Sequence, residues 1–204
     1  MTSSKQNPVI AVLAVQGAFI EHELRLGQLG CECIELRQAA DLDQHFDGLV
    51  LPGGESSVQG KLIEELGMLS PMRSLIEQGL PVLATCAGLI LLADDIVEEV
   101  SLGAEGFPRL ATMPVTVRRN AYGRQLGSFH VWGDFTGLGK VPMTFIRAPY
   151  VESVGEGVEV LARVDGHIVA VRYSAQIAVS FHPELDDSTA IHTLFLDAVT
   201  QYLQ

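Results

Sequence analysis

Apolar runs alternate with helical periods four times in about the first ninety residues, and this alternation restricts the fold most strongly. The runs at residues 9–15, 31–36, 48–51 and 82–85 are typical of strands buried on both faces. Helices in the connections between such strands imply right-handed crossovers and a parallel sheet covered on both sides. We therefore expect an α/β fold on a mostly parallel sheet.

The second half of the chain favours strands joined by glycine-rich loops. We predict strands at residues 115–117, 125–135 and 144–146, a hairpin turning at Asp165-Gly166, and a further strand at 177–181. The last helix has the clearest helical period, with Asp187 or Ser188 as candidate N-caps. Because no repeat or linker interrupts the pattern, residues 1–204 are expected to form a single domain.

The composition excludes several classes of protein. A formal net charge of −12 argues against a nucleic-acid partner, which would need clustered lysine and arginine. We find no signal peptide and no apolar run long enough to cross a membrane, so we expect a cytoplasmic protein with no membrane partner. Cys31 and Cys33 could form a metal pair, but no second pair matches them, and buried or half-buried thiols are the preferred interpretation.

Cys86 stands between a predicted strand and an apolar helical stretch, and is followed by Ala87 and Gly88. A free cysteine is usually a small buried hydrophobic residue. At a tight turn over a helix N-terminus, however, the partial positive charge and free N–H groups favour a thiolate and can hold an oxyanion. The pattern matches the strand-turn-helix arrangement of hydrolase nucleophiles.

Two further segments follow predicted strands. His182 and Glu184 flank Pro183, and an extended backbone would point both side chains the same way, so that the carboxylate could fix the imidazole. The alternative is a strand end with solvated charges. Residues 53–56, Gly-Gly-Glu-Ser, form either a plain strand-to-helix connection or a loop whose N–H groups bind an anion. Since parallel strands present their C-terminal ends at one edge, we expect these segments to meet Cys86 there.

These motifs resemble those of a known family. Thr-Cys-Ala-Gly at 85–88 and Ser-Phe-His-Pro-Glu at 180–184 are similar to the class I, triad-type glutamine amidotransferases. The blocks at 13–18, 51–57, 119–125 and 145–149 look like those of the glutaminase subunits of pyridoxal 5'-phosphate synthases. The resemblance runs from about residue 9 to 203 and implies a flavodoxin-like, three-layer α/β/α fold.

The resemblance implies hydrolysis of L-glutamine to L-glutamate and ammonia, without a metal or other cofactor. Cys86 would attack the side-chain amide, His182 would transfer protons, and Glu184 would orient His182. The oxyanion would bind the backbone N–H groups of Gly54 and Ala87. The residues implied in substrate binding are Gly54, Glu55, Ser56, Arg119, Ile146 and Arg147.

Members of this family pass ammonia to a (β/α)₈-barrel synthase partner that makes pyridoxal 5'-phosphate. We expect little activity without that partner. Gln16 is our candidate for a residue whose position changes when the partner docks. Two alternatives are the glutaminase subunit of another amidotransferase, such as imidazole glycerol phosphate synthase, and a non-catalytic regulatory subunit of the same fold. The segment 97–110, which carries Glu98, Glu99 and Glu105, is predicted to be a surface insertion.

Overall fold

The computed structural model describes residues 7–97, 106–119 and 127–204. Its helices α1 to α5 span Phe19–Gln28, Ser56–Glu65, Leu69–Glu77, Ala87–Leu92 and Ala190–Tyr202. Its strands β1 to β12 span Val9–Leu13, Glu32–Leu36, Gly48–Leu51, Val82–Thr85, Ala93–Val97, Met113–Arg118, Ser128–Phe135, Gly139–Ile146, Tyr150–Val154, Glu159–Val164, His167–Tyr173 and Gln176–Val179. Within these ranges, no helix has the length and apolar character needed to cross a membrane.

The strands form one mixed sheet with a parallel region and an antiparallel region. Strands β2, β1, β3, β4 and β12 lie side by side in that order, and each neighbouring pair is parallel. The sheet continues from β12 through β11, β10, β7 and β8 with antiparallel pairing. Strand β9 also pairs with β11 and connects the sheet to β6, which pairs with β5. The C-terminal ends of β3, β4 and β12 therefore lie next to one another.

Helices cover both faces of the parallel region, whose central strands β1, β3 and β4 are mostly apolar on both faces. Along β1, Ile10 and Val12 pack in a cluster with residues of α1 and α5. Ala11 and Leu13 point the other way and pack with residues of α2, α3 and α4. This two-sided packing is the reason why the strands read as continuous apolar runs. The predicted three-layer α/β/α architecture is confirmed.

Several predicted elements are confirmed closely. Strands β3 and β4 have the predicted bounds. The predicted hairpin joins β10 to β11, and both residues of its turn have positive φ, with Asp165 at 49° and Gly166 at 82°. This is the backbone that a two-residue hairpin turn with the right twist requires. Cys31 and Cys33 are both half-buried free thiols, as we expected.

Helix α2 begins at Ser56, directly after the glycine loop, as a strand-to-helix connection at residues 53–56 requires. The predicted start of the last helix was wrong. The N-cap of α5 is Thr189 rather than Asp187 or Ser188. The carboxylate of Asp187 instead lies 3.7 Å from the Arg25 guanidinium, although the Ser188 hydroxyl does accept a bond from the Ala190 N–H.

Two predicted features lie wholly or mainly outside the described residues. These are Glu98, Glu99 and Glu105 of the acidic segment, and residues 120–125 of the Arg-Asn-x-x-Gly-Arg-Gln block. The predictions for them stay predictions. Arg119, the first residue of that block, is described.

Candidate active site

Cys86 lies at the junction of β4 and α4 in a backbone conformation that is rare for a residue with a side chain. Its φ is 48° and its ψ is −99°, and its N–H donates to the carbonyl of Val179 on β12. Such strain persists only where the surrounding structure holds it, and it is frequent at active sites. An ideal Cβ on Gly88 would lie 3.0 Å from the carbonyl carbon of Leu51, so glycine is needed for α4 to approach β3 this closely.

His182 connects the thiol to a carboxylate. It lines the same cavity as Cys86, and its Nδ1 lies 2.7 Å from Oε1 of Glu184. Its backbone N–H donates to the carbonyl of Thr144, which fixes the start of the segment. Burial alone would lower the pKa of His182, but the hydrogen bonds and charges of Cys86 and Glu184 raise it to about 10. The ring therefore remains protonated at neutral pH and can balance a thiolate.

Glu184 reaches His182 by a different route from the one predicted. Residues Pro183–Leu185 form a 3₁₀ turn, whereas the sequence suggested an extended segment. Glu184 is only 2% exposed. Burial would raise the pKa of its carboxyl group, but the neighbouring His22 and His182 lower it below the usual value. The carboxylate is therefore ionised where it contacts the imidazole.

A cavity of about 300 Å³ opens beside the thiol. Cys86, Ala87 and His182 line this cavity. All of the residues predicted to bind substrate line it too, namely Gly54, Glu55, Ser56, Arg119, Ile146 and Arg147. Gln16, Ile90 and Pro149 complete the wall. A larger cavity of about 390 Å³ lies beside Asp94 and Gln176, but neither a cysteine nor a histidine lines it.

The cavity carries both charge signs. Arg119 lies 3.3 Å from an oxygen of Glu55, and Arg147 adds a second cation in a strained backbone with φ 43°. The Glu55 N–H donates to Oε1 of Gln16 at 2.8 Å, which fixes the loop after β3. A ligand with one carboxylate and one ammonium group would find complementary charges here.

Two buried histidines next to the site were not identified by the sequence analysis. His22 on α1 and His192 on α5 are both fully buried. Nε2 of His22 lies 3.4 Å from Oε2 of Glu184, on the side of the carboxylate away from His182. The only signal in the sequence was that His22 falls four residues before Leu26 on the buried stripe of α1.

Comparison with known proteins identifies the family. The model of the SNO glutamine amidotransferase family matches residues 12–201. The chain belongs to this family. Among SNO family relatives, the pyridoxal 5'-phosphate synthase subunit PdxT of Desulfitobacterium hafniense is 61% identical over 191 residues, which cover 94% of this chain and 93% of the relative. The PdxT subunit of Methanocorpusculum labreanum is 53% identical and covers 93% of this chain and 97% of its own.

Two solved structures are similar to this chain over most of its length. A crystal structure described as a glutamine amidotransferase superposes with a TM-score of 0.86 at 42% identity, and covers 94% of this chain and 98% of that chain. A putative GMP synthase subunit from Thermoplasma acidophilum, at 19% identity and a TM-score of 0.69, shares the fold. The family and fold that the motifs implied are both confirmed.

Proposed function

We propose that this chain hydrolyses L-glutamine to L-glutamate and ammonia, and that it delivers the ammonia to the synthase that makes pyridoxal 5'-phosphate. One observation supports the proposal most strongly: Cys86 and His182 line the same cavity, and Nδ1 of His182 lies 2.7 Å from the buried carboxylate of Glu184. The names of the PdxT relatives support the synthase as the destination of the ammonia.

The first half of the reaction forms a thioester. The Cys86 thiolate adds to the side-chain amide carbon of glutamine, and the carbonyl oxygen becomes an oxyanion. Imidazolium at His182 then donates its proton to the amide nitrogen, the carbon–nitrogen bond breaks, and ammonia leaves. Glu184 balances the charge of the ring before that transfer and fixes its orientation afterwards.

The second half regenerates the thiolate. Neutral His182 removes a proton from a water molecule as the water attacks the thioester carbon, and the carbon–sulfur bond then breaks. Glutamate leaves, and the imidazolium–thiolate pair is restored. In both halves we assign the oxyanion to the backbone N–H groups of Gly54 and Ala87. Ala87 is the first residue of α4, where the N–H groups lack partners within the helix.

The charges of the cavity suit the two ends of the amino acid. We assign the α-carboxylate of glutamine to Arg119 and Arg147, and the α-ammonium group to Glu55. Ser56 offers a hydroxyl, and Ile146 supplies apolar wall against the methylene groups. The substrate would then lie with its amide group toward Cys86.

Ammonia takes up a proton in bulk water, so it must reach its acceptor along a path that is shielded from solvent. We therefore place the chain in a complex with a (β/α)₈-barrel synthase in the cytoplasm, and we expect the isolated chain to be a poor glutaminase. Gln16 lines the cavity and binds the loop that carries Gly54. Gln16 remains our candidate for the residue whose position changes when the synthase docks.

Ammonia release from glutamine, measured with and without purified synthase, tests the proposal. We expect the rate to rise when the synthase is added and to disappear in Cys86→Ala while the complex still assembles. Equal rates with and without the synthase would refute the role of docking. Activation by the barrel of imidazole glycerol phosphate synthase instead would favour that alternative, and an intact complex without hydrolysis would favour a regulatory subunit.

Labelling by an electrophilic glutamine analogue provides a second test. We expect one label per chain, at Cys86, with protection by glutamine. Cys33→Ala is the matched control, because burial is the main cause that raises the pKa of the Cys33 thiol to about 12 and makes it a poor nucleophile. Labelling that survives Cys86→Ala would contradict the assignment of the nucleophile.

A further inference from the structure

Three buried polar side chains lie behind Glu184, and the hydrolysis described above does not use them. They are His22 on α1, His192 on α5 and Thr85, the last residue of β4, and all three are completely buried. None of them lines the cavity beside Cys86. Burying polar side chains costs free energy unless they are hydrogen-bonded, so this cluster needs a physical explanation.

The side chains form a branched series of contacts that ends at the carboxylate. Nε2 of His192 lies 3.0 Å from Nδ1 of His22. Nε2 of His22 lies 3.2 Å from the Thr85 hydroxyl and 3.4 Å from Oε2 of Glu184. Oε2 has no hydrogen-bond partner, since the 3.4 Å contact with His22 is not aligned as a hydrogen bond, whereas Oε1 is bonded to His182. His22 is therefore the group placed to satisfy the second oxygen of Glu184.

The positions of the protons follow from these contacts. A lone pair on Nε2 of His22 would face the ionised Glu184, so we assign a proton to that nitrogen. If His22 is neutral, its Nδ1 is then an acceptor and His192 must donate from Nε2. This leaves Nδ1 of His192 as a bare lone pair, in agreement with its having no hydrogen-bond partner. The opposite assignment would bury an unpaired N–H group at the same place.

We propose that His22 and His192 are positioning residues for the reaction: they form a neutral relay that donates an N–H bond to Oε2 of Glu184 and so holds this carboxylate ionised against His182. The relay rests on the proposed function, since it acts on the same triad. It connects α1 and α5 to the catalytic groups, and its donors all point toward Glu184.

The charges around the relay agree with this assignment. Burial is the main cause that lowers the pKa of His22, and it lowers that of His192 to about 3, so both rings stay neutral. Besides His182, the other charged group that contacts Glu184 is Arg25 of α1, whose Nε donates to the Glu184 carbonyl at 3.2 Å. The charge of Glu184, and to a smaller extent that of Glu21 on α1, opposes the effect of burial on the pKa of His22, whereas His182 acts in the same direction as burial.

The pH profile of Cys86 alkylation tests the relay without glutamine. Iodoacetamide would be added to the full-length chain over a range of pH. Mass spectrometry would then measure how fast the peptide that contains Cys86 is modified. In His22→Leu the carboxylate of Glu184 loses its N–H donor, so Glu184 is less stable as an anion and stabilises the His182 imidazolium less. As the pH is lowered, the Cys86 thiolate of this variant should therefore become protonated at a higher pH than in the wild type. We expect the midpoint to rise by about one pH unit, with about tenfold slower alkylation on the acid side.

A conservative variant distinguishes the relay from simple packing. His22→Gln retains an N–H donor and should restore most of the original profile. His45→Leu removes an exposed histidine far from Glu184 and should leave the profile unchanged. In the complex, His22→Leu should lower kcat and leave KM within about twofold, since His22 does not touch the substrate cavity. Identical profiles for wild type and a folded His22→Leu would overturn the proposal.

A measurement on the unmodified protein covers the case in which His22→Leu does not fold. Nitrogen NMR of ¹⁵N-histidine-labelled chain at pH 7 should show His22 and His192 as neutral rings protonated at Nε2. A charged His22, or one protonated only at Nδ1, would refute the relay. If wild type releases no ammonia in the complex but alkylation still depends on His22, the proposed function fails and the relay survives. If the complex hydrolyses glutamine normally and neither hydrolysis nor alkylation depends on His22, the relay fails and the proposed function survives.

Discussion

A methyl group added at Gly53 should displace the catalytic imidazole. An ideal Cβ at this position would lie 2.9 Å from Nδ1 of His182 and closer still to its Cε1, while ordinary contacts begin at 3.4 Å. The ring would have to move by about 1 Å to bring Cε1, the nearer of the two atoms, to an ordinary contact distance. Nδ1 is the atom bonded to Glu184, and the ring lines the same cavity as Cys86. Since a misplacement of about 1 Å can cost about 10²-fold in rate, we expect Gly53→Ala to lose on the order of 10²-fold.

The assay is ammonia release by the complex at saturating glutamine, with unfolding in urea as a check on the fold. Gly27→Ala is the matched control, because nothing lies within 4 Å of the added methyl group. That change, in the last turn of α1, should stabilise the chain by about 0.5–1 kcal/mol and leave the rate unaltered. A wild-type rate in Gly53→Ala would show that His182 does not need the position found here, and the reasoning would be refuted.

Two further predictions concern protons at and behind the site. Because the pKa of His192 falls from the usual 6.5 to about 3, the unfolded chain takes up a proton first as the pH decreases. The free energy of unfolding should therefore fall by about 2 kcal/mol from His192 alone between pH 6.5 and 5, and urea denaturation should show this loss removed in His192→Gln. In the ammonia assay, His182→Ala should lose about 10²–10⁴-fold, and Glu184→Gln less, because proton transfer matters more than orientation. An equal loss in two folded variants would contradict this division of roles.

The sequence predicted the parts of the site that follow directly from strand ends. Cys86 and Gly54 come after β4 and β3, and the rule that parallel strands present their C-terminal ends together was enough to place them. The charged residues of the cavity required the resemblance to a family as well. Arg147 comes after β8, outside the parallel region, and spacing alone gave no reason to place it near the thiol.

The elements that were predicted poorly depend on tertiary contacts. Helix α4 has only 6 residues, and the chain turns into β5 at Ala93, because pairing with β6 competes with the helix. Periodicity cannot separate a short apolar helix from a buried strand. The relay was missed for a similar reason: His22 and His192 meet only because α1 and α5 pack on the same face of the sheet.

The position of β12 has a consequence for how the protein comes into being. This strand follows the eleven other strands of the described residues along the chain, yet it lies between β4 and β11 at the middle of the sheet. A nascent chain that has not yet reached β12 holds Cys86 but lacks His182 and the strand that joins the two regions of the sheet. The two regions can therefore join only after both have been synthesised, and the hydrolysis proposed above cannot begin before then.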